Sequence, residues 1–264
     1  MNPVAISIGK IGIRWYAILI LLAFLIGIYL VKKEAKRLNL DTNKIIDMCF
    51  YLVLVSILGA RIYYCIFEFN HYKDNLVDIL KIWEGGLAIH GGIIAGIIFT
   101  IIYTKKHKLN ILKITDVIAP ALILGQAIGR WGNFFNGEAF GPATTLTTLK
   151  QMHIPKFIID GMYLYSSTDY ITTYRHPTFL YESLWCILVF IILIIIRKNK
   201  KIKIGMITGT YFILYGIERY FVESLRQDSL MFLNLKVAQI VSIIMIVTGI
   251  ILWIYSIKKS NNYN

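Results

Sequence analysis

Four side chains near the C-terminus, Tyr215, Arg219, Glu223 and Arg226, have a spacing suited to anion binding. An α-helix turns by about 100° per residue, so offsets of four, eight and eleven residues place all four on one narrow face. One carboxylate beside two guanidiniums leaves positive charge for an acidic group. The structural alternative is a salt bridge of Glu223 with one arginine, while the other extends to water.

A second cationic site is predicted in the stretch GQAIGRWGNFFNGEAFG, residues 125–141. Arg130 offers a planar guanidinium, and Asn133 and Asn136 add amide donors, a set that matches the oxygens of a phosphate. Two glycines four residues apart before Arg130 allow close helix packing, and three later ones let the backbone leave the helix. The structural alternative is a glycine-rich helix exit around one charge-paired arginine.

Two histidines are candidates for proton transfer or structure. His90 lies between glycine pairs in GGLAIHGG, either as a capped structural histidine or as a base with room for substrate beside it. His176 precedes Pro177 and a threonine, which predicts a helix start and a structural histidine. In the segment RWY, Trp15 is interpreted as an interfacial anchor, and the role of Tyr16 is open.

The elements that must position these residues are apolar. The 264-residue chain is 57% hydrophobic, has a mean hydropathy of +0.63 and carries only 16% charged residues. Since about 20 apolar residues cross a bilayer as a helix, the sequence predicts seven spans. They cover about 11–31, 45–67, 86–104, 115–135, 178–196, 205–223 and 237–257.

Without a linker, a long charge run or a repeat, the chain is predicted to form one polytopic membrane domain over 1–264, with an outer segment at about 136–177. The fold class is therefore an all-α integral membrane protein of seven transmembrane helices with an outward-facing polar cavity. Three cysteines, Cys49, Cys65 and Cys186, fall within spans and are predicted to be buried apolar residues, not disulfides or metal ligands.

Arginines within spans are a strong functional signal. Each costs about 2.5–3.5 kcal/mol near the bilayer centre, so intramembrane arginines face a cavity and have a partner. Arg61, Arg130 and Arg219 all fall within predicted spans, and together they indicate an anionic partner or ligand.

The orientation follows from the other basic residues. Alternate loops at 32–44, 105–113, 197–203 and 258–259 carry sixteen lysines and arginines, against nine on the opposite side. The positive-inside rule predicts an outer N-terminus and a cytoplasmic C-terminus. The net charge of +13 is explained by topology and anionic lipid, so no nucleic-acid partner is inferred. The N-terminus lacks a basic leader and a cleavage site, so the first span is predicted to be retained.

Together these segments resemble the bacterial prolipoprotein diacylglyceryl transferases over nearly the whole chain. The block GRWGNFFNGE around Arg130 is the most specific part of the resemblance. The other motifs are RWY at 14–16, GARIYY at 59–64, the His90 segment, Asp116 with Ala119-Pro120, HP with LYE at 176–182, and YG at 215–216 with Arg219, Glu223 and Arg226. One departure is Gln227-Asp228 directly after the last arginine, where the family often has proline and aspartate.

The resemblance implies an enzyme of the bacterial cytoplasmic (inner) membrane. The family transfers the diacylglyceryl group of phosphatidylglycerol to the lipobox cysteine of a prolipoprotein signal peptide, forms a thioether, releases glycerol 1-phosphate, and needs no metal or organic cofactor. By position it gives functional weight to Tyr16, His90, Arg130, Asn133, Glu138, Gly141, Tyr215, Arg219, Glu223 and Arg226.

From these residues we expect Arg130 and Arg219 to clamp the lipid phosphate, with Asn133 assisting. Glu223 and Tyr215 are expected to orient Arg219, while Arg226 attracts the headgroup or pairs with Glu223. His90 is the candidate base, or it positions lipid while the arginines lower the cysteine pKa.

The alternative function is a membrane transporter for an anionic or lipid-like solute, since intramembrane charges also mark ion pathways. A retinal-type receptor is disfavoured because 237–257 has no lysine, and a serine hydrolase because Gly-X-Ser-X-Gly is absent.

Overall fold

The computed structural model describes residues 2–9, 11–73, 75–167, 169–199, 201–226, 231–232 and 235–259. The departure at Gln227-Asp228 lies outside the described residues. So do Lys10 and Lys200, two of the basic residues counted for orientation.

Long helices occur at all seven predicted spans. In chain order, with the short helices between them, the described helices are α1 (Trp15–Arg37), α2 (Thr42–Phe67), α3 (Phe69–Tyr72), α4 (Ile89–Lys106), α5 (Ile111–Asn136), α6 (Leu146–Gln151), α7 (Lys156–Gly161), α8 (Thr178–Ile196), α9 (Met206–Leu225) and α10 (Val237–Lys259). The predicted helix start after Pro177 is confirmed, because α8 begins at Thr178.

Within the described residues, five helices are long and apolar enough to cross a membrane: α1, α2, α5, α8 and α10. The chain is therefore a mainly helical membrane protein. Crossing by α4 and α9 is not confirmed by length and composition. Two lysines end α4, and α9 contains Glu218, Arg219 and Glu223.

Short strands occur where the sequence analysis predicted none. Two form an N-terminal hairpin, β1 (Val4–Ile8) and β2 (Ile11–Arg14). Between α5 and α8, β3 (Ala143–Thr144), β4 (Tyr163–Ser166) and β5 (Ile171–Arg175) form an antiparallel sheet of order β3-β5-β4. Before α10, β6 (Met231–Phe232) pairs with β7 (Leu235–Lys236). The first span was predicted from residue 11, but α1 begins at Trp15 because 11–14 pairs as a strand.

The chain divides into two compact units, a smaller unit of residues 31–114 and a larger unit of residues 1–30 and 115–264. In the smaller unit, α2 and α4 meet through glycines. A Cβ on Gly59 would lie 2.8 Å from the carbonyl oxygen of Gly91, and one on Gly91 would lie 2.4 Å from that of Gly59. The backbones thus touch, and neither position accepts a side chain.

The larger unit has its core between α5, α8 and α9, where Ile123, Val189 and Ile207 are buried together. Asp116 of α5 joins this core to the start of α9, because its carboxylate accepts hydrogen bonds from the backbone N–H groups of Gly205 and Thr208. Such a cap satisfies first-turn donors that have no partner within the helix. It therefore sets α9 against α5. The buried cysteines predicted from the sequence, Cys49, Cys65 and Cys186, are confirmed as free and buried.

Candidate functional site

The end of α5 is built by the sequence NFFNGE. Gly137 has φ +68°, a left-handed conformation that glycine adopts without strain. Its N–H bonds to the carbonyl of Phe134, and the N–H of Glu138 bonds to that of Asn133. These two bonds form the Schellman ending of a helix. Arg130 therefore lies in the last two turns of α5, and Glu138 is exposed just beyond the helix.

The beginning of α8 is held against this exit. The Gly141 N–H donates to the carbonyl of His176 over 2.9 Å, and a Cβ on Gly141 would lie 2.9 Å from that of His176. The hydroxyl of Thr178 donates to the carbonyl of Ala139. Nδ1 of His176 lies 3.1 Å from the hydroxyl of Tyr181, a contact inside the protein that fits the structural role predicted for this histidine. Glu182 then follows one turn into α8.

Three helices of the larger unit bring their charged side chains together around Glu182. Arg130 Nη2 of α5 lies 2.8 Å from Glu182 Oε2, and Arg219 Nη1 of α9 lies 3.3 Å from the same oxygen. Arg219 Nη2 also pairs with Glu223 Oε2 over 2.6 Å. We call Arg130, Glu182, Arg219 and Glu223 the arginine cluster.

Burial makes these pairs different from surface ion pairs. The Glu182 side chain is 0% exposed, while those of Arg130 and Arg219 are 17% and 16% exposed. A buried ion stays charged only when its partners and hydrogen bonds compensate lost hydration. Both guanidiniums thus retain a limited exposed edge.

The charge balance corrects the sequence analysis. From the spacing we expected one carboxylate beside two guanidiniums in this region. The structure adds Glu182, so two carboxylates pair with two guanidiniums. The two guanidiniums of the cluster are those of Arg130 and Arg219, whereas the spacing suggested Arg219 and Arg226, and the cluster itself has balanced charge. The signal for Glu182 was an acid inside an apolar span, a costly residue that needs a partner.

Tyr215 and Arg226 also differ from the expected arrangement. The hydroxyl of Tyr215 accepts a hydrogen bond from Arg130 Nη2 over 3.4 Å, whereas the sequence analysis expected it to orient Arg219. Arg226 lies beyond α9, with φ −78° and ψ 139°, and does not continue the helical face. The Nζ of Lys236 caps this helix end by donating to the carbonyls of Glu223 and Arg226 over 2.6 and 2.9 Å.

Tyr16 packs directly against α5 in the larger unit. A Cβ on Gly132 would lie 2.4 Å from Tyr16 Cδ2, whereas one on Gly129 would lie 3.9 Å from Ile20. Trp15 stacks on Phe135 with ring centroids 4.9 Å apart. The absence of a side chain at Gly132 therefore allows the Tyr16 ring to lie against α5, at a position two residues beyond Arg130 in that helix.

His90 belongs to the smaller unit, whereas the residues of the arginine cluster belong to the larger unit. It is the second residue of α4 and is exposed, with its ring centroid 6.4 Å from that of Tyr63. Of its flanking glycines, Gly91 serves the contact of α4 with α2. The space beside His90 therefore arises partly because the packing of α4 against α2 requires a glycine at position 91.

Arg61 has a structural role that the sequence analysis missed. Its guanidinium donates to the carbonyl oxygens of Asp78, Ile79 and Gly85 over 2.6, 2.8 and 2.6 Å, and it lies over the ring of Tyr72. Backbone carbonyls thus stabilise this buried cation. We expected an anionic partner or ligand for the three intramembrane arginines together, and the partners of Arg61 in the structure are instead backbone carbonyls.

Comparison with known proteins gives one consistent answer. A family model described as prolipoprotein diacylglyceryl transferase matches residues 3–255. A Listeria innocua protein named phosphatidylglycerol–prolipoprotein diacylglyceryl transferase is 44% identical over 261 residues, covering 99% of this chain and 92% of that protein. Proteins of the same name from Staphylococcus haemolyticus and Staphylococcus aureus are 45% and 44% identical, covering 97% and 99% of this chain and 88% and 91% of their own lengths.

Proposed function

Because this chain belongs to the prolipoprotein diacylglyceryl transferase family, we propose that it transfers the diacylglyceryl group of phosphatidylglycerol to the lipobox cysteine of a prolipoprotein. The products are a thioether on the cysteine and glycerol 1-phosphate. The structural observation that best supports this proposal is that Arg130 and Arg219, on different helices, both contact one oxygen of the buried Glu182.

The reaction sets two demands on the protein. Sulfur attacks the sp³ carbon of the diacylglyceryl group, so the thiol must lose its proton, because the thiolate is the nucleophile. The C–O bond to the phosphate breaks at the same carbon, so negative charge grows on the departing phosphate. The thiol loses one proton and the departing phosphate gains one negative charge, so the overall reaction is balanced. Glycerol phosphate needs no further reactant to leave.

The arginine cluster meets the second demand. Arginine stays charged and presents N–H groups in a plane that matches phosphate oxygens. Both described polar contacts of Arg130 use Nη2, and its side chain is 17% exposed. This guanidinium therefore keeps donors for a phosphate while Glu182 holds its orientation. Donors fixed in a site with little water stabilise a developing anion by about 3 kcal/mol each.

The remaining candidate residues support this role. Asn133 and Gly141 shape the exit of α5, where the lipid headgroup would lie beside Glu138, and Arg226 would attract the headgroup from beyond α9. Tyr215 orients Arg130 through its hydroxyl. Tyr16 lines the same end of α5. His90 is the proposed base for the thiol; its alternative role is to position lipid.

The proposed arrangement in the membrane has seven transmembrane helices, with α4 and α9 crossing beside the five clear spans. The whole chain acts as one domain of a multi-pass protein in the bacterial inner membrane. Its N-terminus is outside, its C-terminus is cytoplasmic, and its polar cavity opens to the outer leaflet. A cysteine labelling scan of the loops in intact cells tests this orientation.

The function is tested with the purified protein, phosphatidylglycerol vesicles and a peptide containing a lipobox cysteine. We expect the peptide to gain the mass of a diacylglyceryl group and glycerol phosphate to form in equal amount. A matched peptide with serine in place of cysteine is the control and should remain unmodified. Movement of an anionic solute into liposomes without lipid product would support the transporter alternative and contradict the proposal.

A further inference from the structure

Glu218 is an acidic residue of α9 that no sequence pattern singled out. It directly precedes Arg219 and is 5% exposed. Neither carboxyl oxygen has a hydrogen-bond partner among the residues that the structure describes. Buried polar groups almost always have such a partner, so an acid without one needs an explanation.

The surroundings of Glu218 connect it with the arginine cluster. Glu182 of α8, Arg130 of α5 and the adjacent Arg219 lie near enough to act on its carboxyl electrostatically. Cys186 of α8 and Tyr215 of α9 are the other titratable neighbours. The described contacts place no arginine or lysine within salt-bridge distance of Glu218. Both guanidiniums pair with Glu182 and Glu223 instead.

The charge count then decides between two states of this residue. With Glu218 ionised, three buried carboxylates would face two guanidiniums, and the added charge would lie beside Glu182. An ion without a partner in a buried site is strongly disfavoured, and two neighbouring carboxylates avoid being charged together. A net negative cluster would also repel a phosphate. With Glu218 neutral, the cluster is balanced, with two carboxylates beside two guanidiniums.

We propose that Glu218 is a positioning residue that works as a neutral carboxylic acid, leaving the exposed edges of Arg130 and Arg219 to bind the phosphate of the donor lipid. When it loses its proton, its carboxylate competes with that phosphate for the guanidiniums. The inference rests on the proposed function for the identity of the anion. It assigns this chain an affinity for phosphatidylglycerol that depends on one buried proton.

The expected signature is a change in KM and not in kcat. As pH rises through the ionisation of Glu218, the KM for phosphatidylglycerol should increase, by up to about tenfold per pH unit for a single group. Saturating lipid should restore kcat, since the lipid and the carboxylate compete. In Glu218→Gln the side chain is neutral at every pH, so this rise in KM should be absent. Glu218→Asp retains the acid and should retain the rise.

The experiment measures kcat and KM for phosphatidylglycerol from about pH 6 to about pH 10 in the wild type and both variants. Infrared difference spectra of the purified proteins at neutral pH provide the second measurement. We expect a protonated carboxyl band in the wild type that is missing from Glu218→Gln and shifted in Glu218→Asp. An equal rise of KM with pH in Glu218→Gln, or no protonated band, would overturn the inference. A wild type that forms no thioether would instead contradict the proposed function, while the infrared result would still report the state of Glu218.

Discussion

Arg130 of α5 forms a 2.8 Å ion pair with Glu182 of α8, an acid with no exposed surface. The pair joins the glycine-rich end of one helix to the first turns of another. Because Glu182 Oε2 also contacts Arg219, the position of one guanidinium depends on the other. This coupling means that the two arginines should be considered one unit when substitutions are interpreted.

Replacing either arginine by lysine should reduce thioether formation by about 100- to 1,000-fold, because a single ammonium cannot bind Glu182 and a phosphate in one plane. Arg130→Lys and Arg219→Lys should each show the loss, and the double variant should lose less than the product of the two. The rate is measured with lipobox peptide and phosphatidylglycerol. Arg37→Lys, which alters the arginine pair with Glu34, is the matched control. Full activity of both single variants would contradict the phosphate clamp.

Adding one methyl group at Gly132 should reduce stability and transfer activity far more than adding one at Gly129. The new Cβ would lie 2.4 Å from the Tyr16 ring in Gly132→Ala but 3.9 Å from Ile20 in Gly129→Ala. Overpacking of this kind costs about 1–3 kcal/mol, and here it also displaces Tyr16. The thermal unfolding temperature in detergent and the rate of diacylglyceryl transfer should both fall in Gly132→Ala, and neither should fall in Gly129→Ala. Equal behaviour of the two variants would show that the Tyr16 contact does not matter.

The role of His90 is decided by an uncharged replacement of similar shape. If His90 is the base, His90→Gln should lower kcat by about 100- to 10,000-fold, because general-base catalysis is worth that much. His107→Gln, at the other end of α4 and stacked on Tyr103, serves as control. A kcat equal to that of the wild type would exclude an essential base and leave lipid positioning.

Arg61→Lys should loosen the segment that follows α3 in the smaller unit. The three N–H donors of lysine share one nitrogen, so they cannot reach Ile79, Gly85 and Asp78 from the separate positions of Nε, Nη1 and Nη2 in Arg61. The free energy of local unfolding of this segment should fall by at least about 1.5 kcal/mol, the lower value for a hydrogen bond to a charged group. Hydrogen exchange of the amides from Ile79 to Gly86 measures it. Unchanged protection there would contradict the structural role of Arg61.

Acid should weaken the sheet between α5 and α8 through Asp169. Arg175, with a side chain that is 0% exposed, donates to both Asp169 oxygens over 2.6 and 2.7 Å. That hydrogen bonding holds the pKa of Asp169 below its ordinary value. The ion pair therefore stabilises the folded protein above the unfolded-state pKa of about 3.9. This stabilisation is lost as pH falls through the lower pKa that Asp169 has in the folded protein.

The variant Asp169→Asn should accordingly lower the unfolding temperature at about pH 7 and have little effect at an acidic pH where Asp169 is protonated in both states. Thermal unfolding in one detergent at both pH values makes the comparison. Asp160→Asn, on the exposed side of α7, is the control. An equal loss at both pH values would show that charge on Asp169 is not the cause.

Much of the architecture was predictable because lipid imposes simple requirements. Each of the seven apolar stretches forms a helix, and Pro177 marks the start of α8 as expected. Gly137 ends α5 through its own conformational freedom, which is a local property. The family resemblance depended on the order of motifs such as the one around Arg130, and that order is also carried by the sequence alone.

The partners of the charged residues were decided only by the tertiary structure. Arg130 and Arg61 look alike in the sequence, each inside an apolar helix, yet one binds a buried carboxylate and the other a set of carbonyls. Glu182 and Glu218 also look alike, and among the described residues only Glu182 has arginine partners. A sequence specifies the cost of a buried charge, because that cost depends on residue type and hydrophobic context. Which group compensates it depends on contacts between residues far apart in the chain, and only packing of the helices creates those contacts.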